Sequence, residues 1–172
     1  MIPCYIGLGS NLDNPARQLL VALKGMQTMA ASRLTHCSSF YQSRPMGPPD
    51  QPDYVNAVAR LETSLSAMEL LRALQALEKA SGRVRSLRWG ARTLDLDVLL
   101  YGDQVIHNEA LTVPHYGIAE REFVLCPLQE IAPQLVLPDG RSLAELVASC
   151  PVQGMQVIRQ QAEVWTSLAG SV

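Results

Sequence analysis

Residues 88–102 read RWGARTLDLDVLLYG. Whether residues 93–101 are a strand or a loop decides if the elements before them close into a complete core. Leu94, Leu96, Val98 and Leu100 alternate with Thr93, Asp95, Asp97 and Leu99. Alternation at period two marks a half-buried strand. The spacing therefore predicts a strand whose first set points into a core, while Asp95 and Asp97 emerge together on the opposite face.

Working upstream, Ser66 with Glu69 three residues later forms a capping box. Met68, Leu70, Leu71, Leu74, Leu77 and Glu78 continue it as a helix to about Gly82. Residues 54–63 (YVNAVARLET) alternate again, with Val55, Ala57, Ala59 and Leu61 on one side and Tyr54, Asn56, Val58, Arg60 and Glu62 on the other. Residues 44–53 hold four prolines and a glycine and form a loop. Residues 35–43 read as another strand. Asn14-Pro15 opens a helix, with asparagine as the cap and proline in the first turn. Its apolar face is Leu19, Leu20, Leu23, Met26 and Ala30, and residues 32–34 end it. Residues 2–8 are the first strand, and Gly7-Leu8-Gly9-Ser10-Asn11 after it reads as a tight turn. Strand, helix, strand, strand, helix, strand is the split βαβ order, an antiparallel sheet with helices on one face.

Downstream, residues 105–111 suggest a hairpin, and Pro114, His115 and Tyr116 lead into a short turn or helix. Phe123, Leu125 and Leu128 look like core. Pro138-Asp139-Gly140 is a turn, residues 142–149 a final short helix and residues 155–158 an edge strand. The chain is expected to fray from about Gln160.

The length of 172 residues suits a single domain with its own core. Hydrophobic residues at 48% and charged residues at 17% exclude a disordered chain, and a net charge of -2 gives no global field for nucleic acid or anionic lipid. Cys4, Cys37, Cys126 and Cys150 lack any paired metal-ligand spacing, and the first three are read as small core residues. No segment resembles a signal peptide or a membrane span, so a cytoplasmic protein is expected.

Two carboxylates on one strand face repel unless one is protonated or a cation compensates them. Magnesium suits hard oxygen donors and keeps part of its water. Just upstream lie Lys79, Arg83, Arg85, Arg88 and Arg92, with no acid between Lys79 and Leu94. Arginine offers planar, forked donors suited to phosphate. Carboxylates for metal beside arginines for phosphate describe a nucleotide site without a Walker loop. The rival reading is an RNA- or nucleotide-binding module, with the arginines on a backbone and Trp89 stacking a base. A single short basic loop in an acidic chain with 5% aromatics argues against it.

The ordered set YIGLGSN, SSFYQSRPMG, DQPDYVNAV, GRVR, RWGARTLDLDVLLYG, LTVPHY and FVLCPL, spanning about residues 1–145, resembles the 6-hydroxymethyl-7,8-dihydropterin pyrophosphokinases of folate biosynthesis. The resemblance implies a ferredoxin-like α+β fold with a βαββαβ core and a C-terminal extension. It implies transfer of pyrophosphate from ATP to the pterin hydroxymethyl group, releasing AMP, by a monomer that binds neither nucleic acid nor membrane. Asp95 and Asp97 would hold two magnesium ions, with Arg83 and Arg92 stabilising phosphate. Arg85, Arg88, Trp89, His115, Tyr116 and Arg121 would contact the nucleotide, with Glu78 and Thr112 near the adenosine. Ser43, Pro45, Met46, Tyr54, Asn56 and Phe123 would form the pterin pocket. Ala91 stands where proline is frequent in the family, and Ala110 where some members carry arginine. The resemblance leaves the role of residues 150–172 open.

Overall fold

In a computed structural model, residues 1–12, 14–43, 53–81, 94–150 and 154–170 are described. The chain runs β1 (Ile2–Ser10), α1 (Pro15–Gln27), β2 (Ser32–Cys37), β3 (Phe40–Ser43), β4 (Tyr54–Thr63), α2 (Ala67–Ala80) and β5 (Asp95–Tyr101). It continues through the small hairpin β6 (Ile106–His107) and β7 (Thr112–Val113), then α3 (Glu122–Ile131), α4 (Leu143–Ser149), β8 (Gln156–Arg159) and α5 (Gln161–Ala169). The main sheet has the order β5-β1-β4-β3-β8, with β2 also on β4, and every pairing is antiparallel. This is the expected α+β core.

The alternation in β4 is as read. Val55, Ala57, Ala59 and Leu61 join a large apolar cluster under α1 and α2, together with Ile6, Leu8, Leu96 and Val98. Val58 faces the other way, into a second cluster with Leu99, Leu125, Leu128 and Leu143. Helices thus cover both faces. The first two lie on one face as expected, and α3 and α4 cover the other. The unforeseen α3 begins at Glu122 and carries Pro127 inside it.

Leu100 departs from the predicted facing. In the pairing of β1 with β5, Tyr5 meets Leu100 but Ile6 meets Val98, so Leu99 is an extra residue at a bulge. A bulge resets the alternation. Leu100 therefore joins Leu99 in the second cluster, and Tyr101 turns back to the first, where its hydroxyl donates to the Leu65 carbonyl.

The capping box of α2 is present, with Ser66 Oγ accepting the Glu69 N–H (3.2 Å) and Glu69 Oε1 accepting the Ser66 N–H (2.8 Å). Asn14 precedes α1 as expected but makes no side-chain cap; it occupies the left-handed region (φ 59°), which asparagine tolerates. α1 stops at Gln27, and Ser32, Arg33 and Leu34 are strand rather than helix end, because they extend the pairing with β4. The predicted strand 35–43 is split at Ser38-Ser39. Ser38 spans the break, donating its N–H to the Val58 carbonyl and accepting the Val58 N–H on its hydroxyl (both 2.9 Å).

Residues from Gln160 onward do not fray. Gln160 and Glu163 form a second capping box, and Val164 and Leu168 are buried in the large cluster beside α1. Glu130 on α3 ties this extension to the sheet. Its carboxylate accepts the Ser39 N–H (2.8 Å), the Ser39 hydroxyl (2.6 Å) and the Tyr41 hydroxyl (2.9 Å), while Ser39 Oγ accepts the Gln161 N–H (3.0 Å). Burial and the Glu130 carboxylate push the Tyr41 phenol well above its usual range, so it remains a donor. Glu130→Ala would strand the buried Ser39 donors. Because Glu130 itself reaches solvent, the expected loss is about 2 kcal/mol, or roughly 4–8 °C in melting temperature, readable by calorimetry.

Cys4 and Cys37 are fully buried, and burial pushes both thiols up to about 12, as inert core residues require. Cys126 is only half-buried, a departure from its reading as core, since it lies toward the outer side of α3. No described helix is long and apolar enough to cross a membrane.

Candidate active site

The two aspartates stand on β5, which among the described residues pairs only with β1 and so forms an edge of the sheet. Their partners across the ladder are glycines: Asp95 faces Gly9 and Asp97 faces Gly7. Directly opposed residues project to the same face, so the carboxylates look across a strip of bare backbone. The glycines expected to make a turn are in fact interior to β1. Their role is spatial. A Cβ at Gly9 would come within 3.1 Å of Asn56 Oδ1, and one at Gly7 would touch the Leu99 side chain at 3.4 Å.

Beyond the glycine strip lies Asn56, paired with Gly9 on one side and with Tyr41 on the other. One row therefore runs Asp95, Gly9, Asn56, Tyr41 across four strands. At ordinary strand spacing, Asp95 and Asn56 are about 10 Å apart. Asn56 is 5% exposed, and its Nδ2 donates to Ser43 Oγ at 2.6 Å, which fixes the amide plane. Tyr54 follows on the same face of β4, opposite Ser43. Phe123, in the first turn of α3, packs against the apolar cluster of this face.

The remaining described residues gather at the outer edge of β5. The His115 N–H donates to the Leu99 carbonyl (3.0 Å), which docks the segment after β7 onto that edge. His115 Nδ1 accepts the Gly117 N–H (3.0 Å), so the neutral ring carries its proton on Nε2. Burial, aided by the Arg121 charge, lowers its pKa to about 4. Its ring stacks on Tyr116 at 4.5 Å between centroids. The Arg121 guanidinium lies 5.1 Å from the Tyr116 ring and 5.7 Å from the Phe123 ring, bridging the two halves of the site. Gly117 leaves room for it, since a Cβ there would come 2.5 Å from Arg121 Nε. Thr112 lies in β7, with Oγ1 3.4 Å from His107 Nδ1.

The low pKa has a signed consequence. A histidine held neutral by the fold contributes stability that is full above its unfolded value of 6.5 and is lost as pH falls toward about 4. A His115→Asn variant can still accept the Gly117 N–H but cannot titrate. The melting-temperature advantage of wild type over the variant is expected to shrink between pH 6.5 and 4; a constant difference across that window would refute the assignment.

Among the described residues, no third histidine, cysteine, aspartate or glutamate joins the pair in a metal-holding group. Two carboxylates beside bare backbone are a donor set that fits magnesium, which completes its shell with water and phosphate oxygens. Pro45, Met46, Arg83, Arg85, Arg88, Trp89 and Arg92 lie outside the described residues. Sequence reading missed the glycine strip and Glu130. The signal for the strip was present: Gly7 and Gly9 share the two-residue spacing of Asp95 and Asp97.

The model of the 7,8-dihydro-6-hydroxymethylpterin-pyrophosphokinase family matches residues 5–133. The chain belongs to this family. It is 57% identical over 147 residues to 2-amino-4-hydroxy-6-hydroxymethyldihydropteridine pyrophosphokinase of Haemophilus influenzae, covering 86% of this chain and 92% of that protein. The protein of the same name from Pseudomonas aeruginosa is 52% identical over 152 residues, covering 88% and 94%. Among solved structures, a triple mutant of Plasmodium falciparum HPPK-DHPS matches with a TM-score of 0.70 at 12% identity, a likeness of fold. It covers 86% of this chain, which spans less than half (43%) of that longer one. The pyrophosphokinase relatives agree with the expected family, and the neighbour with the ferredoxin-like fold.

Proposed function

We propose that this chain transfers the β,γ-pyrophosphoryl group of ATP to the hydroxymethyl oxygen of 6-hydroxymethyl-7,8-dihydropterin, a step of folate biosynthesis. The new bond joins that oxygen to the β-phosphorus. The bond broken runs from the β-phosphorus to the α,β-bridging oxygen, which departs on AMP. Family membership supports the reaction. The observation that carries it to particular residues is the row from Asp95 across Gly9 to Asn56. A bicyclic pterin held by its polar edge at Asn56 would span the roughly 10 Å to the carboxylates with its hydroxymethyl arm.

Asn56, oriented by Ser43, would bond the pterin edge, with Tyr54 and Phe123 against the ring and Pro45 and Met46 completing the pocket. Thr112, Tyr116, Arg85, Arg88, Trp89 and Arg121 would hold the nucleotide. His115 would serve it as a neutral Nε2–H donor, because its pKa keeps it uncharged at neutral pH. Arg83 and Arg92 would take up charge on the phosphoryl oxygens. Asp95 and Asp97 would hold two magnesium ions. When bound, magnesium supplies charge compensation on the phosphates and polarisation of the substrate hydroxyl. The protein's own contribution is mostly alignment of the two substrates.

Four free cysteines fit a reducing compartment, and we place the reaction in the cytoplasm with the chain as a monomer, which light scattering would check. The deciding experiment mixes the protein with magnesium, ATP and the pterin alcohol. Pterin-dependent release of AMP is expected. Release of ADP, or AMP formation indifferent to the pterin, would overturn the reading.

A further inference from the structure

The buried stripe of α2 is Leu70, Leu74 and Glu78. These fall four residues apart, so they share one face. The third stripe position, where an apolar residue is expected, holds a carboxylate that is only 7% exposed. Burying a charged side chain is unfavourable unless it is well bonded. Glu78 Oε2 accepts the Leu96 N–H at 2.8 Å. Leu96 is the residue between Asp95 and Asp97, and its amide points away from β1, to the side of β5 that no other described strand pairs with.

We infer that Glu78 is a positioning residue for the carboxylate pair, acting through the Leu96 amide. The inference rests on the proposed role of that pair. The Leu96 nitrogen belongs to the peptide joining it to Asp95. Fixing it restricts the backbone rotation that aims the Asp95 side chain and, one peptide later, Asp97. Backbone alternation turns the amides of Asp95 and Asp97 toward β1 when that of Leu96 points away. The three-residue segment is thus gripped from both edges, by β1 and by Glu78. The contact is with backbone, and Glu78 is not grouped with the aspartates as a metal-holding set. Outer groups that orient a ligand in this way govern metal affinity without touching the metal.

Two variants separate the effects. Glu78→Gln keeps an oxygen acceptor, whereas Glu78→Leu completes the apolar stripe and removes it. With Mn²⁺ as probe and α,β-methylene-ATP present, electron paramagnetic resonance is expected to show Mn²⁺ affinity for the Leu variant at least about tenfold weaker. The Gln variant should stay within about threefold of wild type, and the pterin KM should be unchanged in both. Wild-type Mn²⁺ affinity in the Leu variant would overturn the inference, as would equal losses in both variants. Should the Leu variant fail to fold, hydrogen exchange of the metal-free wild type decides. A slowly exchanging Leu96 amide, still slow in the Gln variant, supports the inference, and a rapidly exchanging one in wild type overturns it. Neither Mn²⁺ affinity nor amide exchange depends on whether the product is AMP, so failure here is distinct from failure of the proposed reaction.

Discussion

Asp97→Ala is expected to yield a folded protein that no longer forms AMP at a magnesium-dependent rate, with a loss of about 10³-fold or more in kcat. Asp97 is exposed on β5, and Leu96 and Val98, which anchor the strand in the large cluster, point to the opposite face. Its removal should therefore shift stability by only about 0.5 kcal/mol. An interaction used in the transition state lowers turnover more than ground-state affinity, so the pterin KM should move far less than kcat. Near-normal magnesium-dependent turnover in this variant would remove the carboxylate pair from the mechanism.

Gly9→Val is expected to raise the pterin KM by about 10²-fold. Valine suits a strand interior, so β1 should form. Its Cβ would arrive 3.1 Å from Asn56 Oδ1, with two methyl groups beyond it. The amide must leave its plane and surrender the 2.6 Å bond to Ser43. A pocket that recognises polar edges loses most when its own polar group is misdirected. Gly9→Ala, whose single carbon asks Asn56 to yield only a few tenths of an ångström, should lie between wild type and valine. Binding of the ATP analogue, measured by calorimetry, should change less than about threefold in either. An unchanged pterin KM in the valine variant would show that the strip between Asp95 and Asn56 is not where the pterin lies.

Much of this site could be read in advance because it is written in alternation. Asp95 with Asp97, and Tyr54 with Asn56, were assigned to faces by period two, and the sheet kept those faces. Leu100 escaped because a bulge after Val98 breaks the period, and nothing in the run DVLLY marks where the extra residue falls. The glycines of β1 read as a turn because a glycine in a strand resembles a breaker until the side chain occupying its space is known. Glu130 and Ser39 are 91 residues apart, and a contact of that range leaves no local trace. Position alone argues that the tail frays, but its pattern argues for a helix: Val164 and Leu168 have helical spacing, and Glu163 three residues after Gln160 supplies the start signal. His115 was recognised by motif, but its neutral state depends on burial and on Arg121, which only the folded chain displays.

The packing of α5 beside α1 has a practical corollary for attachment chemistry. That helix lies against the large apolar cluster, on the sheet face away from Asp95, Asp97 and Asn56. A surface linker, a fluorophore or another protein joined after Ala169 would be tethered behind the sheet, away from the face that carries Asp95, Asp97 and Asn56.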